Sequence, residues 1–94
     1  MSLLLGVRTN AKTLYLYKLS QSVNNGWDTY DSAVVCACDE AAARRIHPNG
    51  YETMEIEVEK YPSWCSLKDV KVALIGVATD KITEGVLVAS FNAG

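Results

Sequence analysis

The sequence predicts an α+β fold: a mainly antiparallel sheet of four to five strands in the order β-β-α-β-β-β, with one short helix on one face. Three observations carry this reading. Several segments are rich in Leu, Tyr and Val and free of breakers, and are separated by turn signals. A single segment has helix start and stop signals. No connection is long enough for repeated crossover helices, which favours antiparallel pairing. Ninety-four residues with 49% hydrophobic and 21% charged content, 6 Gly and 2 Pro describe one globular domain. Residues 13–94 are expected to form it, with 1–12 as a flexible tail or an arm that packs on a neighbouring subunit.

The first strand is expected over 13–20 (TLYLYKLS). Leu14 and Leu16 share one face, and Tyr15, Tyr17 and Leu19 the other. Asn24-Asn25-Gly26 signals a reversal, because Asn and Gly tolerate positive φ. The loop is expected to run through 27–31, and a second strand over 32–38 (SAVVCAC). Asp39 suits an N-cap, Glu40 complements the helix dipole, and Ala41 to Ala43 propagate the helix. Arg44 and Arg45 close it, and Pro48 stops it by excluding helical angles at His47. Residues 53–60 (TMEIEVEK) alternate strictly, with Met54, Ile56 and Val58 on one face and Glu55, Glu57 and Glu59 on the other. This pattern predicts a half-exposed strand. A loop over 62–68, a buried strand over 70–78 (VKVALIGVA) and a last strand over 85–91 complete the chain.

A helix this short cannot cover a five-stranded sheet whose strands are apolar on both faces. The reading is therefore a homo-oligomer, with a dimer as the default by symmetry. Tyr15, Tyr17, Trp27 and Trp64 are the aromatics expected at the contact.

The charge balance, 11 acidic against 9 basic residues, excludes the broad basic face of a duplex nucleic-acid binder. Three cysteines (Cys36, Cys38, Cys65) cannot form a complete disulfide framework, and C-x-C with one histidine fits a zinc site poorly. They read as buried thiols in a reducing compartment. With no targeting segment and no stretch near the ~18 apolar residues of a span, the expectation is a cytoplasmic protein without membrane contact, cofactor or metal.

Candidate chemistry is sparse. His47, the single histidine, lacks a nucleophile elbow, an oxyanion loop or a second histidine around it, so the chain reads as not an enzyme; a small hydrolase is the minor alternative. Arg44, Arg45 and His47 form a cation cluster able to pair with phosphate. The most functional-looking segment is WDTYDS, where Trp27, Asp28, Tyr30, Asp31 and Ser32 place aromatic faces beside carboxylates and hydroxyls. No phosphate loop, dinucleotide fingerprint or EF-hand pattern occurs.

Three stretches together resemble a family of small proteins, without established activity, encoded in tailed-bacteriophage and prophage genomes. They are NNGWDTYDSAVV, EAAARRIHPNG, and DVKVALIGVA followed by GVLVASFNAG. The distinctive blocks are D-T-Y-D-S, A-R-x-I-H-P and S-F-N-A-G, spanning roughly 13–50 and 64–94. The matching polar positions are Asp28, Thr29, Tyr30, Asp31, Ser32, Arg44, His47, Ser90 and Asn92. The resemblance implies a phage context and places Ser90 and Asn92 in a pocket, but transfers no catalytic residue. The resulting expectation is a non-enzymatic binding protein that sequesters a small nucleotide-type signal of host defence. In it Trp27 or Tyr30 stacks, Arg44 or Arg45 pairs with phosphate, and Asp31, Ser90 and Asn92 read polar edges. The alternative is a protein–protein inhibitor that engages a host protein through Glu55, Glu57 and Glu59 or through the terminal strand.

Overall fold

The computed structural model describes residues 13–55 and 62–93. Four strands form one antiparallel sheet: β1 (Tyr15–Ser20), β2 (Thr29–Ala37), β3 (Lys71–Val77) and β4 (Gly85–Asn92). Their order across the sheet is β3-β1-β2-β4. Among the described residues one short helix, α1 (Glu40–Arg44), follows β2, and one 3-10 turn, Leu67–Asp69, precedes β3.

Directly opposed residues of antiparallel strands share a face, so the register sorts every side chain. Tyr17 stands opposite Val35 and Leu74, and Leu19 opposite Ala33 and Val72. Val86 stands opposite Val35 and Ala89 opposite Ala33. Tyr17, Leu19, Ala33, Val35 and Ala37 on this front face are buried, together with Ala43 of α1 and Met54, Trp64, Cys65 and Val70 from the connections. The back face has rows of different character. Gly76, Leu16, Cys36 and Gly85 form one; Ala73, Lys18, Val34 and Val88 the next; and Lys71, Ser20, Ser32 and Ser90 the third.

Three extra residues interrupt the ladders: Ile75 in β3, Leu87 in β4 and Asp31 in β2. Such bulges increase local twist and turn side chains aside, and all three of these residues are exposed.

The helix starts as its cap chemistry dictates. The Asp39 side chain accepts from Ala42 N at 2.8 Å, satisfying one of the first-turn donors. The helix is short. It ends at Arg44, and its C-cap Arg45 already sends its N–H to Ala42 O at 3.3 Å. The Pro48 turn follows, with Gly50 N donating to His47 O at 3.0 Å.

Several expectations are corrected. The 27–31 loop is shorter, because Thr29, Tyr30 and Asp31 already belong to β2. Thr and Tyr favour extended backbone, and a bulge accommodates the exposed aspartate. Of the expected 53–60 strand only 53–55 are described, where Thr53 forms an isolated bridge with Ile46. Residues 56–60, with Glu57 and Glu59, lie outside the described residues, as does the 1–12 arm. The 70–78 strand is not buried: β3 is an edge, and Leu74, Ile75 and Val77 are exposed. Tyr17 and Trp64, expected at a subunit contact, are enclosed by their own chain. Trp64 is buried with no hydrogen-bond partner for its Nε1–H among the described residues.

Candidate functional site

Two connections pack around β2, one before its start and one after α1. In the first, Gln21 is the hub. Its Nε2 donates to Asn24 O at 2.8 Å and to Tyr30 O at 2.9 Å. Its Oε1 accepts from Val23 N at 2.9 Å and Asn24 N at 2.8 Å. Asn24 carries the connection outward, its Nδ2 donating to Pro62 O and Trp64 O. Thr29, buried, donates from Oγ1 to Gly26 O at 2.6 Å. Asp28 takes φ 60°, in the left-handed region that aspartate tolerates better than most residues.

The sequence-predicted ligand residues of this segment do not converge. Trp27 stands at the loop tip, 72% exposed. Tyr30 lies on the front face, its ring 4.8 Å from that of Phe91 and 6.1 Å, edge-on, from that of His47. Asp31 is the exposed bulge residue, and Ser32 faces Ser90 across the back of the sheet. Asn92 is committed to the turn: its Nδ2 donates to Gly26 O at 3.1 Å, and its carbonyl accepts from Asp28 N at 2.6 Å.

The second connection, 45–54, doubles back on itself. Met54 N donates to Arg45 O at 2.7 Å and His47 N to Glu52 O at 3.3 Å. Pro48 supplies the fixed φ of the second turn position. Asn49 then folds the tip: its Oδ1 accepts from Tyr51 N and Glu52 N, and its Nδ2 donates to Glu52 Oε2 at 2.7 Å. The result is a cleft of about 380 Å3 between the end of α1, this hairpin and the start of β4. Arg45, Tyr51, Glu52 and Thr53 supply its polar lining, and Gly85 and Val86 one wall. Of the residues singled out in the sequence, Arg45 alone lines it. Tyr51, Glu52 and Thr53 were missed, because Pro48-Asn49-Gly50 was read as a helix stop and not as a reversal returning the chain past Arg45.

The three cations of the 44–47 cluster have different roles. Arg44 donates to Val70 O and pairs with Glu40 Oε2 at 3.1 Å, tying α1 to the segment before β3. Arg45 faces the cleft, and no carboxylate pairs with it among the described residues. His47 is almost wholly buried, and burial lowers its pKa below the usual histidine value, against a smaller opposite pull from the Glu52 carboxylate. Its Nδ1 accepts from Asn49 N at 3.1 Å. The neutral ring therefore carries its proton on Nε2, which faces Ser63 Oγ at 3.5 Å. That tautomer offers Ser63 a donor, whereas a base activating a serine needs an acceptor there.

No family model, curated protein or solved structure matches the chain.

The cysteines are free thiols. Burial raises Cys36, with a smaller push from Glu84, and raises Cys65 to about 12, with a smaller push from Asp69. Both therefore stay protonated at neutral pH, and the thiolate is the nucleophilic form. Among the described residues no group of three or more His, Cys, Asp or Glu side chains converges as metal ligands, and no helix is long and apolar enough to cross a membrane.

Proposed function

We propose that the protein is a non-enzymatic binding protein that takes a small anionic ligand of the nucleotide class in the cleft beside α1. The observation that carries this reading is Arg45, a guanidinium lining the cleft without a carboxylate partner among the described residues. A guanidinium binds a phosphate through two parallel hydrogen bonds. Tyr51, 93% exposed at the rim, offers a ring for a base to stack on. The Thr53 hydroxyl and Glu52 carboxylate are suited to sugar hydroxyls or base amino groups. The cleft volume falls within the range that small-molecule sites occupy. The protonation pattern of His47 and the raised Cys36 and Cys65 thiols argue against nucleophilic chemistry. In the phage context suggested by the sequence blocks, binding without turnover amounts to sequestering a host signal.

The test is native mass spectrometry and calorimetry with a panel of cyclic and linear nucleotides. A bound nucleotide released unchanged, with affinity reduced at least about tenfold in Arg45→Ala and in Tyr51→Ala, supports the reading. Absence of nucleotide binding, binding indifferent to Arg45→Ala, or chemical turnover overturns it.

A further inference from the structure

Strand β4 forms an outer edge of the sheet, and no described strand pairs with its far side. Its eight residues, GVLVASFN, include no charge and no proline. From Leu87 to Phe91 every residue is exposed, so apolar groups meet water on both faces: Val88 on the back, Phe91 on the front and Leu87 at the bulge. Edge strands of this kind are ordinarily guarded by charge, by proline or by a covering element, because their free N–H and C=O groups are a template for another strand. The opposite edge, β3, starts on Lys71; β4 has only the Leu87 bulge, and 88–92 run on beyond it.

The geometry points to a second copy of this chain as the occupant, with β4 paired antiparallel to β4 of the partner about a twofold axis. Antiparallel pairing of a strand with itself is isologous and closes at two copies. A charged strand paired this way would set like charges near one another, and β4 has none to conflict. Eight residues rising ~3.3 Å each make an edge about 26 Å long. With side chains on both faces, pairing two such edges removes on the order of 1,000 Å2 from water, the threshold for a specific interface. The expected dimer therefore sits at the small end of specific interfaces.

This pairing also bears on the cleft. A twofold near Val88 or Ala89 runs the partner's strand back along β4, bringing its residues 90–92 beside Val86, which lines the cleft wall. Each cleft would then be completed by the other copy. The dimer itself stands on the strand edge and does not depend on the ligand.

The experiment is sedimentation velocity and native mass spectrometry of the full chain without ligand, at about 1–100 μM. Wild type is expected as a dimer. Val88→Lys alters an exposed side chain and should preserve the circular dichroism spectrum while weakening the dimer at least about tenfold, since it sets lysines near one another across the edge. Ser90→Lys, also exposed, is the second variant should the first misfold. Leu74→Lys on β3 should leave the dimer intact. A wild-type monomer throughout overturns the proposal and leaves the edge to a strand of some other protein. A dimer that survives both β4 lysines, or one that Leu74→Lys dissociates, overturns it as well.

Discussion

Replacing Gln21 with alanine removes the amide around which the 21–30 connection is built. Four hydrogen bonds disappear together, between 2.8 and 2.9 Å in length, two donated by the side chain and two accepted. At about 0.5–1.5 kcal/mol net for each, the total would lie between about 2 and 6 kcal/mol. The structure lowers that range. Val23 is 62% exposed, so its N–H regains water in the variant. The Tyr30 carbonyl, at the packed start of β2, has less access to a substitute. A loss of about 2–3 kcal/mol follows, which for a domain of this size lowers the melting temperature by roughly 8–24 °C. Urea and thermal unfolding followed by far-ultraviolet circular dichroism read it directly. Gln21→Glu sharpens the test: it keeps acceptor oxygens but turns a carboxylate toward two carbonyl oxygens. It should destabilise at least as much at pH 7 and recover in part in acid, where a protonated carboxyl again donates. A shift below about 2 °C for Gln21→Ala, too small for even one of these bonds, would refute the claim that this hub holds the connection.

Two further predictions concern titrating groups. His47 has a lowered pKa through burial, so between its folded value and the ordinary 6.5 the unfolded chain binds more protons than the folded one. Stability from this group is complete above about pH 6.5 and falls as the pH drops below it; His47→Gln should flatten the unfolding free energy below about pH 6.5, and an unchanged slope would contradict the burial argument. Among the thiols, Cys38 is half-exposed while Cys36 and Cys65 are buried with raised pKa values. At pH 8 one thiol per native chain should react quickly with an aromatic disulfide reagent and the other two only after unfolding; rapid reaction of Cys65 would contradict the packing around Trp64.

Much of the local structure was legible in the sequence, because it depends on neighbours along the chain. The Leu-Tyr alternation placed β1 and sorted Tyr17 and Leu19 onto one face, as the register bears out. Asp39 capped the helix, and Pro48 set the turn that follows it, through backbone chemistry that needs no distant partner. Segment 27–32 misled, since carboxylates and hydroxyls crowded into six residues look like a loop, yet Thr29 and Tyr30 gain more from pairing with Asn92 and Phe91. Of residues 53–60, whose alternation is the strict period of a strand, the described end, 53–55, makes a bridge from Thr53 to Ile46.

The candidate site divides along the same line. Residue types and their spacing determined that Arg44, Arg45 and His47 would cluster at a helix end, where the dipole favours cations. Tertiary structure decided how each is used: Val70 and Glu40 take up Arg44, Asn49 and burial fix His47 as neutral, and the returning hairpin leaves Arg45 facing the cleft with Tyr51 and Thr53. Gln21 showed only part of its role locally: its bonds to Val23 and Asn24 lie within three residues, but its bond to Tyr30 O forms only when β2 lies beside β1. Strand order was likewise undecided by local pattern. An apolar run such as KVALIGV reads alike at the centre of a sheet or at its edge, and the difference lies only in which strands pack alongside it.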